Sequence, residues 1–429
     1  MRVEVLYGRD GLEVELADDL EVTVIRKPAL PALDDPREAV RAALARPVDA
    51  APLAELARGR RSACILICDI TRPVPNRLFL QPMIRELMDA GIAAEKITVL
   101  VATGLHRPNE GAELAEVVGD PWVLDTVAVA NHFARNDADH VDIGLTPVRG
   151  TRVRLDRRLV EADLKIATGL VEPHFMAGYS GGRKVIAPGV AHAETITTFH
   201  SARFMEHPLA ANCTLDGNPL HEEQLAVVEM LGGALALNTV IDEGRNLAFV
   251  NFGEIVASHA EAVRFARRYV EVPVERRFAT VLTSAAGYPL DKTYYQTVKG
   301  MVAPMDVLAP GGDLIVASEC SEGMGSRHFV EAQRRFVAEG PERFLAGLKA
   351  KSHADIDEWQ TEMQMKPMRI GAVHLYSGGL PESDRPLTGV HVVADPAEAV
   401  ARSVARSGER RIAVIPEGPY VVPVYRPAA

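Results

Sequence analysis

The sequence predicts an α/β protein of two domains built on mostly parallel sheets. Three observations lead there: the length, the form of the apolar runs, and what lies between them. The chain has 429 residues, which at about 150 residues per domain gives two to three domains. Its apolar runs are short, rich in β-branched residues and nearly continuous, at 64–69, 97–103, 164–169, 279–284, 313–318, 370–376 and 412–416. Continuous rather than alternating runs are expected of strands buried on both faces. Amphipathic stretches such as 76–90 and 254–269 separate them, and strands alternating with helices make parallel sheets covered on either side.

Taken in order, Asp35-Pro36 ahead of 37–46 predicts an N-cap followed by Pro at the first helical position. The run CILIC holds Cys64 and Cys68 on one predicted strand. At about 3.3 Å per residue their Cα atoms would stand about 13 Å apart, too far for a disulfide. Buried thiols in a reducing cytoplasm are the expectation. A long helical segment ends near 269–277 in the charged, Pro-containing VEVPVERR, after which strand–helix alternation restarts. The expected domains are therefore 1–270 and 271–429, facing each other across a cleft, with the last strand available to pack back on the first domain.

Charge and hydropathy exclude several classes of function. The 47 Lys and Arg against 58 Asp and Glu give a net charge of −11, without a sustained basic cluster, which is a poor surface for phosphate backbones. No run of 18 apolar residues occurs, so no transmembrane helix is expected, and the first residues lack the apolar core of a signal peptide. The partner expected is a small molecule, not a nucleic acid or a membrane. The sequence says nothing of oligomeric state.

In open α/β sheets ligands bind beyond the carboxyl ends of the strands, and the polar residues of this chain concentrate there. DITRPVPN (69–76) follows the run at 64–69, and TGLHRP (103–108) follows 97–103. VEPHFMAGYSGGRKVIAPGVA (171–191) follows 164–169, and AGYPLDKTYYQTVKG (286–300) follows 279–284. Gly178, Gly181 and Gly182 permit a tight backbone close to a ligand, and Ser180-Gly181-Gly182 is a possible anion-holding nest. The stretch matches neither a Walker A loop nor G-x-G-x-x-G. His106 and His174 come from separate strand-end loops, a placement that suits proton removal from either of two mirror-image substrates. Gln296 and Lys299, three apart on a predicted helix start with Tyr295, are suitable carboxylate partners.

Together these residues resemble the nickel-pincer lactate racemase family. The similarity comprises D-x-T-R-P at 69–73, A-T-G-x-H-R-P at 102–108, and E-P-H-F-x-A-G-x-S-G-G-R-K at 172–184. Pro188-Gly189, His200, Y-Q-x-V-K-G at 295–300, the glycine-rich CSEGMG and Trp359 extend it into the second half.

The resemblance implies a racemase or epimerase of a small 2-hydroxy acid, lactate-like, with malate or a sugar acid as variants. It implies a nickel-bearing pyridinium mononucleotide with two sulfur arms, covalently held by Lys184, with His200 as the protein's nickel ligand. It makes His106 and His174 the acid/base pair, and Asp69, Ile70, Thr71 and Arg72 the loop holding cofactor and substrate anionic groups. Tyr295, Gln296, Lys299 and Trp359, with Arg72, become the substrate-binding set. It further implies reversible hydride transfer between the substrate Cα and the cofactor, cofactor-synthesis enzymes as partners, and two α/β domains with the cofactor between them. His192 and His328 are open, as metal ligands or surface residues.

Two other readings stand beside it. A nicotinamide-dependent 2-hydroxy acid dehydrogenase would need a dinucleotide fingerprint after a predicted strand, and none occurs. A non-enzymatic protein binding a carboxylated metabolite would explain Arg72, Gln296 and Lys299 but leave the histidines and Lys184 without a purpose.

Overall fold

The computed structural model describes residues 1–427, and contacts divide the chain into two compact units. One holds residues 29–199 and 209–268; the other holds 1–28, 200–208 and 269–427. Both are α/β, as the apolar runs imply.

The first unit is built on a six-stranded sheet in the order Leu247–Glu254, Leu235–Ile241, Leu164–Leu170, Ala63–Cys68, Ile97–Ala102, Ala128–Asn131. Every pairing is parallel except that of the edge strand Leu247–Glu254. The central strand Ala63–Cys68 is buried at all six positions, which is why its sequence shows no alternation. Ile65 and Ile67 pack in one core with Phe79, Val99, Val101, Leu237 and Phe252. Cys64 and Cys68 are buried free thiols, pushed up to about 12 by that burial.

Register decides where the loops emerge. Cys68 pairs with Ala102, and Leu66 pairs with Ala167, so the strands ending at Cys68, Ala102 and Leu170 finish at one edge. From Ala63–Cys68 the chain builds outward to Ile97–Ala102 and then returns to lay Leu164–Leu170 on the opposite flank. That reversal is a topological switch point, where side chains from adjacent strand ends surround a crevice.

The second unit carries a six-stranded, all-parallel sheet in the order His391–Val393, Ala372–Tyr376, Leu308–Ala317, Phe278–Ser284, Arg411–Ile415, Glu21–Val24. Its core joins Leu282, Ile315, Ile412 and Val414 to Val3, Val5 and Val14 of an amino-terminal hairpin. Among the described residues no helix is long and apolar enough to cross a membrane.

The division differs from the expected 1–270 and 271–429. The first 28 residues belong with the C-terminal unit because Glu21–Val24 pairs with Arg411–Ile415 and covers a sheet edge that would otherwise present unpaired backbone groups. The last strand, Val422–Tyr425, stays in its own unit, beside Glu271–Val274. The segment read as a boundary, VEVPVERR, thus contributes a strand, since its alternating valines favour extended backbone. Elsewhere Asp35 caps helix Pro36–Ala45 by accepting from the Glu38 N–H at 2.9 Å.

Candidate active site

In the first unit, the loops leaving the strands at Cys68, Ala102 and Leu170 hold the ionisable residues. Asp69 follows Cys68 directly and its carboxylate is 6% exposed. One oxygen accepts from the Thr71 hydroxyl at 2.5 Å and the Thr71 N–H at 3.2 Å; the other lies 2.6 Å from Nδ1 of His106. Burial alone would raise the Asp69 carboxyl, but His106, Thr71 and Arg72 outweigh it and hold the group below the usual carboxylate range. The His106 ring, 63% exposed, projects from a turn closed by its own N–H on the Thr103 carbonyl at 2.9 Å. The arrangement is the carboxylate-oriented imidazole of general acid–base sites.

Arg72 is paired with Glu172, which follows the neighbouring strand across the switch point. Burial opposes the charge on Arg72, and the Glu172 carboxylate, with smaller contributions from Cys68 and Asp69, more than offsets it. Arg72 therefore faces a carboxylate already, the kind of group a substrate acid would bring. Ile70 sits on the rim, its N–H on the Asn109 side chain at 3.3 Å.

The glycine-rich stretch forms a short hairpin, Pro173–His174 against Gly178–Tyr179, and then helix Arg183–Ile186. Gly178 has φ of +78°, and a Cβ there would meet the Thr214 carbonyl oxygen at 2.2 Å, so only glycine fits. Nδ1 of His174 accepts from the N–H groups of Met176 at 3.3 Å and Ala177 at 3.2 Å. Ser180 departs from the nest reading: its N–H is used by the Glu172 carbonyl at 2.9 Å and its hydroxyl by Leu170 at 2.8 Å. Lys184 is half-buried on helix Arg183–Ile186, between fully covered neighbours.

In the second unit, Thr293 caps helix Tyr294–Val302, which carries Tyr295, Gln296 and Lys299. One end of the Gln296 amide is buried without a hydrogen-bond partner, a cost unless a ligand meets it. The Tyr295 carbonyl accepts from Gln360 Nε2 at 2.6 Å, tying this helix to Glu358–Met368. Burial foremost raises the Tyr295 hydroxyl, which also meets the Trp359 indole and Asp357. Trp359 lies against His200, which directly follows helix Ala193–Phe199.

Several further residues shape the site, though the sequence alone assigns none of them a role. Asn109 is 1% exposed; its side chain bonds Glu113, and its backbone exchanges two hydrogen bonds with the Asn131 side chain at 2.8 and 2.9 Å. This bracket fixes the loop bearing His106; the placement of Asn109 beyond Pro108 in a strand-end loop was the available clue. Arg183 is 2% exposed, donates to the Ala177 and Tyr179 carbonyls and meets His259 at 3.0 Å, so it pins the hairpin carrying His174. His192 is engaged within the protein: its Nδ1 accepts from the Glu194 N–H at 3.1 Å at the head of helix Ala193–Phe199, and its Nε2 lies 3.2 Å from both Arg154 Nη1 and Asp137 Oδ1. His328 is exposed on helix Arg327–Glu339.

Comparison with known proteins settles the family. The lactate racemase N-terminal domain family matches residues 7–212, and the lactate racemase C-terminal domain family matches 275–423. The chain belongs to the lactate racemase family. A lactate racemase of Thermoanaerobacterium thermosaccharolyticum is 33% identical over 329 residues, 76% of each chain. One from Lactiplantibacillus plantarum is 30% identical over 387 residues, 89% of each. The solved lactate racemase apoprotein of the Thermoanaerobacterium species superposes with a TM-score of 0.88 at 28% identity, covering 99% of this chain and all of that one. A Thermotoga maritima protein, with a TM-score of 0.68 at 17% identity over 94% of this chain and all of its own, shares the fold. As a lactate racemase family member the protein is an enzyme, an isomerase of the racemase type.

Proposed function

We propose that this racemase interconverts the enantiomers of a small 2-hydroxy acid, with lactate, the substrate its relatives are named for, as the first candidate. The observation carrying the reading is the Asp69–His106 couple, at the sheet edge that also bears His174. His106 and His174 take the hydroxyl proton from one enantiomer and supply it to the other. Arg72, Gln296 and Lys299 bind the substrate carboxylate, and Tyr295 and Trp359 shield it from water.

The cofactor we propose is the nickel-pincer nucleotide that the resemblance implies. Among the described residues no group of three or more His, Cys, Asp or Glu side chains could hold a metal ion. Nickel on His200 would thus draw its other ligands from an organic group. Lys184 would tether that group, with Asp69, Ile70, Thr71 and Arg72 beside it. When bound, the group supplies an acceptor for the electron pair of the substrate Cα–H bond, which a neutral histidine is too weak a base to break. Asp69, already committed to His106 and Thr71, serves by orienting the imidazole rather than by holding an anion.

Supply by cofactor-synthesis enzymes accompanies this reading, as does a cytoplasmic setting, which suits buried free thiols such as Cys64 and Cys68. The test is a panel of single-enantiomer 2-hydroxy acids incubated with holo-protein and followed by chiral chromatography. Appearance of the mirror-image acid is expected. Binding without exchange would favour a metabolite-binding protein, and reduction of added NAD a dehydrogenase. Intact mass of active protein checks the tether; an unmodified Lys184 would eliminate it.

A further inference from the structure

The two histidines of the first unit differ in what their Nδ1 atoms meet, and chemistry converts that difference into a difference of proton position. Nδ1 of His106 lies 2.6 Å from a carboxylate oxygen of Asp69. A carboxylate only accepts, so Nδ1 must carry the proton and, in the neutral ring, Nε2 is left with its lone pair. Nδ1 of His174 meets two backbone N–H groups, from Met176 at 3.3 Å and Ala177 at 3.2 Å. Those only donate, so Nδ1 keeps its lone pair and Nε2 carries the proton.

We infer that His106 and His174 rest in opposite neutral tautomers, His106 with a bare Nε2 and His174 with an Nε2–H. The inference deepens the acid/base reading proposed above and rests on it for its consequence. His106 takes a hydroxyl proton as it stands: the substrate O–H bond breaks, an N–H bond forms at Nε2, and the resulting imidazolium keeps Nδ1–H on Asp69. His174 presents a donor to the substrate oxygen instead. To accept a proton at Nε2 it must first place a proton on Nδ1, against the Met176 and Ala177 N–H groups, so those two bonds are given up or the ring turns. In the neutral state the pair is a ready base and a hydrogen-bond donor, not two copies of one base, and His174 gives up its Nε2 proton only from the imidazolium form.

Three features support the distinction. The Asp69 carboxylate is almost fully covered and held ionised by Thr71 and Arg72 as well as by His106, so it remains an acceptor at neutral pH. The Met176 and Ala177 N–H donors are set in place by the hairpin, which Arg183 fixes through the Ala177 and Tyr179 carbonyls. Gly178 gives that hairpin a backbone conformation no other residue tolerates.

The test is long-range ¹H–¹⁵N correlation of the histidine rings in ¹⁵N-labelled full-length apoprotein at about pH 8.5, above the ordinary imidazole range. His106→Asn and His174→Asn spectra assign the two rings. Protonated Nδ1 in His106 together with protonated Nε2 in His174 is expected. The same tautomer in both rings, or averaging between tautomers in either, overturns the inference. The unsubstituted protein decides the matter, so no variant at Asp69 has to fold. Asp69→Ala, where folded, moves His106 to the Nε2–H form and leaves His174 unchanged; an unchanged His106 also overturns it. Turnover is not read. Opposite tautomers in apoprotein whose holo form fails to racemise would therefore sink the functional reading alone, and matching tautomers in apoprotein whose holo form racemises would sink this inference alone.

Discussion

The indole of Trp359 lies against the imidazole of His200, with ring centroids 4.5 Å apart and planes inclined by 40°. Both belong to the unit that contains most of the C-terminal half, although His200 directly follows helix Ala193–Phe199 of the other. Trp359 is 7% exposed on a helix whose polar residues, Gln360, Thr361 and Glu362 among them, are buried as well. A flat, covered surface beside the imidazole restricts how the ring can turn, which is what the nickel-ligand role proposed for His200 would require.

Replacing Trp359 with alanine removes that surface. Trp359→Ala should lower the free energy of unfolding by about 3–5 kcal/mol and reduce nickel retained by holo-protein. Trp359→Phe keeps a ring there and should recover most of both. Urea unfolding and nickel analysis after desalting check the pair; equal nickel retention in all three proteins would contradict the supporting role.

Asp69→Asn keeps the shape of the side chain but exchanges a pure acceptor for an amide. An amide turned with its NH₂ toward Nδ1 imposes the wrong tautomer on His106. Racemisation should fall about 10²- to 10⁴-fold with the circular dichroism spectrum unchanged. Chiral chromatography reads the outcome; activity within twofold of wild type would show that the carboxylate has no part in the reaction.

Glu362 is 1% exposed, one of its oxygens has no hydrogen-bond partner, and burial, reinforced by the Glu206 charge, pushes its carboxyl up to about 8. The folded value lies above the ordinary 4.5. Its contribution to stability is therefore full below about pH 4.5 and is lost as pH rises toward about 8, at about 1.4 kcal/mol per pH unit. Glu362→Gln, which mimics the protonated form, should remove this loss. Unfolding free energies from pH 5 to pH 9 should diverge, with the variant more stable at the alkaline end; parallel curves would refute the assignment.

Asp156 shows the opposite sign. Its carboxylate is fully covered, between Arg158 Nη2 at 2.6 Å and His132 Nδ1 at 3.1 Å. Burial would raise this carboxyl, but Arg158 and His132 drive it well below the carboxylate range. The stability it contributes is present above about pH 3.9 and lost as pH falls further. Asp156→Asn should cost roughly 3–5 kcal/mol at pH 7 by leaving Arg158 and His132 without their carboxylate. Wild type should then lose more stability than the variant between pH 4 and pH 2, as read by denaturant melts.

The class of fold and the candidate site residues were legible in the amino-acid order alone. Continuous runs such as CILIC read as strands covered on both faces, and Gly178, Gly181 and Gly182 as a stretch permitting a tight backbone. The thirteen-residue stretch ending in Lys184 pointed to the family without coordinates. Tertiary structure decided the rest, because it depends on pairings between segments far apart in the chain. Glu21–Val24 joins Arg411–Ile415 to cover an open edge, and no local pattern announces a partner nearly 400 residues away. Asp69 reads in sequence as one member of an anion-holding loop, yet its carboxylate is given to His106 because the register of two parallel strands brings those loops together. Which nitrogen of each histidine holds the proton was likewise set by those neighbours, since an imidazole takes its tautomer from whatever its Nδ1 meets in space.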